Sequence, residues 1–147
     1  MSARAAIRGA LRARYELDDL IPALRQWEGT RLDPKPSDTY VRETCLFGGS
    51  EAEYEGGQVE TVGVYQLDII GPVKVGAADN LPALDAIAES AAAAFPIHSR
   101  LTGAGGIAVE IASVATGPTL PLDAGRLQIP VSIAWRAYHL NPTPVLA

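Results

Sequence analysis

Near its C-terminal end the chain alternates with a strict period of two: Leu127, Ile129, Val131, Ile133 and Trp135 fall on one parity, and Arg126, Gln128, Ser132 and Arg136 on the other. Successive side chains of a strand point to opposite faces, so this stretch predicts a strand with one face in a core and the other turned to water. Pro130 falls on the polar parity and has no N–H to give to a ladder. That predicts a sheet edge, or a bulge at this point. A long apolar edge strand invites aggregation unless something covers it, and a partner subunit is one candidate for the cover.

The remaining elements follow from spacing. From Ser2, an N-cap residue type, Ala3, Ile7, Leu11 and Tyr15 recur at helical spacing with Ala6 and Ala10 beside them, which predicts an amphipathic first helix. Arg4, Arg8 and Arg12 form a basic stripe along it. Gly9, in its interior, costs about 1 kcal/mol relative to alanine and predicts a close backbone approach. Pro22 bars further helix, Leu24 to Trp27 enters a short strand, and the run from Asp33 to Asp38 is a stiff loop with two prolines. Tyr40 to Phe47 and Val59 to Ile70 read as two strands. Between them, at 48–58, glycine pairs bracket Glu51, Glu53 and Glu55, which predicts a long acidic hairpin loop.

After an Asp79-Asn80 cap signal, Leu84, Ile87, Ala91 and Phe95 keep helical period until Pro96 closes a second helix. Its run from Ala91 to Ala94 permits close packing on a sheet. Gly103 to Gly106 turns the chain into a strand carrying Ile107, Val109 and Ile111. Residues 141–147 read as an extended tail. The sum is one α+β domain over 1–147, with a mainly antiparallel sheet of about four to five strands and two helices on one face.

Composition narrows the function. A chain of 147 residues, 48% hydrophobic and 20% charged, has the length and apolar content of a single folded domain. Its net charge of −5 repels phosphate, which argues against general nucleic-acid binding. A lone cysteine, Cys45, excludes an internal disulfide and fits a reducing compartment, and two histidines, His98 and His139, leave few ligands for a nitrogen and sulfur metal site. The arginines at the start have no apolar run after them, and Glu16, Asp18 and Asp19 speak against an organellar transit peptide, so a soluble, unexported chain without a membrane span is expected.

Reactive constellations are missing. Gly103 to Gly106 runs into a strand, whereas a phosphate cradle needs a helix N-terminus there. The sequence has no phosphate-binding G-x-x-x-x-G-K-[ST] loop, no H-E-x-x-H and no G-x-S-x-G. His98 and Ser99 are sequence neighbours without an orienting acid, and Cys45 shares strand parity with Val41 and Phe47, as a small buried hydrophobe does. The three glutamates lack the spacing of a calcium loop. No catalytic residue, cofactor site or metal ligand is expected.

The order of elements and their local wording carry a resemblance. The chain presents an Arg- and Ala-rich first helix, then Trp27-Glu28-Gly29-Thr30, the Pro34 and Pro36 loop, a strand pair ending Tyr65-Gln66-Leu67-Asp68-Ile69-Ile70, a helix ending Ala94-Phe95-Pro96, and a final strand from Leu127 to Tyr138. Across nearly its whole length it resembles the tail terminator proteins of long-tailed bacteriophages. The resemblance implies a non-enzymatic structural protein of the virion neck, assembled in the host cytoplasm without cofactor or membrane. It implies a homo-oligomer, a hexameric ring, that sits on the last ring of tail-tube protein, stops tube growth and receives the head–tail connector protein, while DNA passes through the lumen without specific binding. A ring needs unlike surfaces on each subunit. The stripe of Arg4, Arg8 and Arg12 and the acidic Glu51, Glu53 and Glu55 supply opposite signs for such contacts, and a glutamate-lined lumen would keep DNA off the wall. The alternatives are another neck or tail-completion protein, or a small cytosolic enzyme or ligand-binding domain with a pocket between the sheet and the second helix, using Tyr65, Asp68 or His139.

Overall fold

A computed structural model describes residues 2–54 and 58–140, and at 49–54, 58, 59, 124, 139 and 140 the backbone alone. The chain runs α1 (Ala3–Tyr15), β1 (Leu24–Gln26), β2 (Tyr40–Tyr54), β3 (Gln58–Pro72), β4 (Lys74–Val75), β5 (Ala78–Asp79), α2 (Leu81–Ala93), β6 (Arg100–Thr102), β7 (Ala108–Thr116), β8 (Leu120–Leu122) and β9 (Arg126–Leu140). The Ser2 hydroxyl caps α1 by accepting from the Ala5 amide at 3.2 Å. Asn80 stands at the start of α2, but its side chain donates to the Pro72 carbonyl at 2.9 Å, tying the helix to the end of β3.

The architecture corrects the expected α+β domain with four to five mainly antiparallel strands. The protein is mostly β, with 46% of its residues in strands and one curled, mixed sheet. Among the described residues that sheet has seven strands in the order β1-β2-β3-β9-β7-β6, with β8 also paired to β9. It is mixed because β1 runs parallel to β2, and the other pairs within it are antiparallel. The uncounted strands are three residues long at β6 and β8 and two at β4 and β5. Segments so short hold no alternation to read; pairing with a neighbour makes them strands.

The alternating segment is β9, and it lies inside the sheet, not at an edge. One side pairs with β3 from Gln58↔Leu140 to Pro72↔Arg126, and the other pairs with β7 and then β8. The chain's own strands therefore cover it, and the argument for a partner subunit at this place falls. Pro130 is accommodated where two neighbours hand over. β7 leaves the ladder at Thr116↔Val131, β8 resumes it at Leu120↔Gln128, and the Gly117 amide donates to the Pro130 carbonyl at 2.8 Å. The missing proline N–H thus falls where the neighbouring strand is interrupted.

Odd-numbered residues of the central strands face the helices. Tyr65, Leu67, Ile69, Ile129, Val131, Ile133 and Trp135 join Ile7, Leu11 and Tyr15 of α1 and Leu84, Ala88 and Ala91 of α2 in one buried cluster. Trp135 fits because its register partner is Gly63: a Cβ there would stand 2.2 Å from the Leu46 carbonyl oxygen and 2.4 Å from the indole. The expected close approach at Gly9 is not found, since nothing lies within 4 Å of its Cβ position. The segment 48–58, expected as a loop, is strand as far as Tyr54 and again from Gln58, with register shifts between Phe47 and Ala52. Residues 55–57, and the expected tail at 141–147, lie outside the described residues.

Candidate functional site

The basic stripe of α1 is turned onto the chain's own β2. Residues four apart share one helix face, and that face meets the segment after β1 and the inward side of β2. Arg12 grips Glu43 with two donors, Nε to Oε2 at 3.0 Å and Nη2 to Oε1 at 2.5 Å, and its guanidinium lies 4.9 Å from the centre of the Trp27 ring. Arg8 reaches Glu28 at 3.4 Å, and Arg4 lies 4.6 Å from the centre of the Phe47 ring. All three arginines offered as an interaction surface are thus engaged within the subunit. The side chains of Glu51 and Glu53, and the whole of Glu55, lie outside the described residues.

Glu43 is the centre of this arrangement. Its side chain is fully buried. Besides the two Arg12 donors it accepts from the Glu28 amide at 3.0 Å and from the Tyr65 hydroxyl. A buried carboxylate costs several kcal/mol unless it is paired and hydrogen-bonded, and here it receives four donors. Hydrogen bonding to Glu43 raises the Arg12 pKa above its ordinary value, and burial followed by the Glu43 charge pushes the Tyr65 phenol far above its own. Glu28 extends the network by accepting from the Cys45 amide. Burial, then the charge of Glu28, pushes the Cys45 thiol up to about 12, so the thiol stays protonated and unreactive at neutral pH.

Glu43 did not figure among the candidate residues, yet it left a trace. It sits on the inward parity of β2 between Val41 and Cys45, where an acid needs a buried partner. Tyr65 and Asp68, proposed for a shared pocket, lie on opposite faces. Tyr65 points to Glu43 on the helix side, and Asp68 accepts from Arg42 at 3.2 Å and from Gln66 at 2.9 Å on the other. They cannot act on one ligand. The side chain of His139 lies outside the described residues, and His98 is exposed in a turn with φ +69°. Among the described residues no three His, Cys, Asp or Glu side chains are grouped to hold a metal ion, and no helix is long and apolar enough to cross a membrane.

A second acid shows a different environment. Between the end of α1 and α2 lies an open cleft of about 250 Å³, lined by Arg14, Leu17, Asp18, Asp19 and Ser90 among others. Oδ1 of Asp18 accepts from the Leu20 amide at 3.2 Å and from the Ser90 hydroxyl, whereas Oδ2 is buried with no partner. Leu17 and Leu20 stand exposed beside it.

Residues 6–135 match a family model described as phage tail terminator protein. Among solved structures, one chain aligns with a TM-score of 0.65 at 21% identity, over 95% of this chain and 95% of its own length. Another, from the virion of a native gene transfer agent particle, aligns with a TM-score of 0.62 at 14% identity, over 94% of this chain and 98% of its own. These two likenesses are likenesses of fold. The comparison with curated proteins finds no match.

Proposed function

This chain belongs to the phage tail terminator protein family, and from that premise we propose that it forms a closed ring on the last ring of tail-tube subunits, ends tube growth there and offers its far side to the head–tail connector. It is a structural protein of the virion tail. The observation that carries the proposal is the extent of the family match, 6–135 of 147 residues, which takes in both helices and nearly the whole sheet. The ring is hexameric in this reading, as the resemblance implies.

The geometry supports an assembly role through its surfaces. Even-numbered residues of the central strands face away from both helices, and Leu46 and Val62 there are exposed. β1 pairs with β2 only from Tyr40 to Arg42, the Glu28 carboxylate takes the Cys45 amide beyond it, and among the described residues no further strand pairs along that edge. Arg8 and Arg12 already hold Glu28 and Glu43, so they are not free to pair with the acidic residues 51, 53 and 55 of a neighbour. We place these acids toward the lumen, where like charge keeps DNA off the wall.

Deleting the reading frame from the phage tests the proposal. Tails of uncontrolled length, unjoined to heads, are expected, with purified protein restoring both length and joining. Tails of normal length and unimpaired infectivity would overturn it.

A further inference from the structure

We infer that neighbouring copies meet head to tail, with the β4–β5 ribbon of one copy seated in the Asp18–Asp19 cleft of the next; the inference rests on the ring proposed above. The cleft has the chemistry of a receptor for a cation on an apolar stem. Asp19 lies at the surface, Asp18 beside it is 8% exposed and adds a second acid, and Leu17, 73% exposed, forms an apolar wall. Arg14, the cation of the cleft, already spends its Nε on the Ala94 carbonyl at 2.7 Å. Lysine suits such a place, because its methylene stem packs on apolar surface while its ammonium reaches the acid.

The ribbon presents that combination. Residues 73–79 are all exposed, Val75 at 61%, and Lys74 makes no ion pair among the described residues. Its base is anchored, since the Val73 amide donates to the Gly125 carbonyl and the Asn80 amide to the Val73 carbonyl, each at 2.9 Å. A ribbon of two residue pairs, Lys74↔Asp79 and Val75↔Ala78, gains little from its own ladder and leaves Val75 in water. A neighbouring surface would bury it.

Placement agrees with a ring. The ribbon directly precedes α2, and the cleft is lined by Ser90, Ala93 and Ala94 at that helix's other end. Thirteen helical residues span about 20 Å. Each copy therefore carries knob and socket on separate patches, as a heterologous contact requires.

The test uses the full chain on tail tubes of the same phage. Paired Leu17→Cys and Val75→Cys changes should yield covalent oligomers on mild oxidation, while the wild type, whose Cys45 is buried, yields none. Separately, Lys74→Glu and Asp19→Lys should each weaken ring formation by about tenfold or more, and together restore it to within about threefold, because the charges are exchanged and not removed. Wild-type rings seen by electron microscopy, with no cross-link and no mutual rescue, would overturn this interface and leave the ring reading standing. Absence of wild-type rings would overturn both. All four positions are exposed, so folding should be retained; if a charge variant does not fold, the cysteine pair decides.

Discussion

Glu43 and Asp18 are both acids shielded from water, 2% and 8% exposed, and both lie against α1 or the chain just beyond it. Glu43 is closed on every side: two arginine donors, one amide and one phenol occupy its oxygens. Asp18 has two donors on one oxygen and none on the other. The first acid completes the fold, fastening α1 to the sheet through a network with no vacancy. The second lies at the foot of an open cleft, with one oxygen capped by Leu20 and Ser90 and the other shut away from water without a donor. Charge near a helix therefore does not identify a contact surface, because the arginines of α1 are engaged inside the subunit.

Removing the partner of the closed acid should have the largest effect. Arg12→Ala leaves Glu43 charged and unpaired, and urea unfolding should show a loss of about 3–5 kcal/mol. Arg12→Met combined with Glu43→Leu should recover most of it, because an apolar pair of similar volume often replaces a buried ion pair at little cost. An unchanged stability in the single variant would mean that water reaches Glu43. Tyr65→Phe removes one of the four donors, and a loss of about 1.5–3 kcal/mol is expected for a hydrogen bond to a charged group.

Alkaline pH probes the same region through Cys45. Its thiol titrates at about 12 in the folded chain, against an ordinary value of 9.0. The folded state therefore binds the proton more tightly than the unfolded state, and the stabilising contribution is complete below pH 9 and is lost as pH rises toward 12. In denaturation curves from pH 9 upward, Cys45→Ala should remove about one proton from the slope, about 1.4 kcal/mol per pH unit. The raised phenols of Tyr15 and Tyr65 should sustain the remaining decline. Equal slopes with and without the thiol would place it in water. At the open acid the effect should be smallest: Asp18→Asn keeps an oxygen for Leu20 and Ser90, and a change under about 1 kcal/mol is expected. A loss as large as that of Arg12→Ala would erase the contrast between the two acids.

Local pattern was legible where it depended on local geometry. The period-two run from Leu127 to Trp135 marks β9 and its inward parity, and the spacing of Ile7, Leu11 and Tyr15 marks the buried side of α1. Sheet order was not, because pairing joins residues far apart in the chain. Pro130 reported truly that one ladder hydrogen bond is missing, but the gap comes from the hand-over of β7 to β8 at Gly117 and not from an edge. The arginine stripe was visible and its destination was not; Glu43, an acid on an inward parity, was the readable sign. The Asp18 cleft left none, since Ser90 reaches it from 72 residues away.

Electron microscopy of tail-tube ends, grown with and without the purified protein, tests the central claim most directly. The account requires a single closed ring of this chain at one end of each tube and a halt in lengthening once it is in place. Tubes that continue to lengthen while the protein stays free in solution would contradict it.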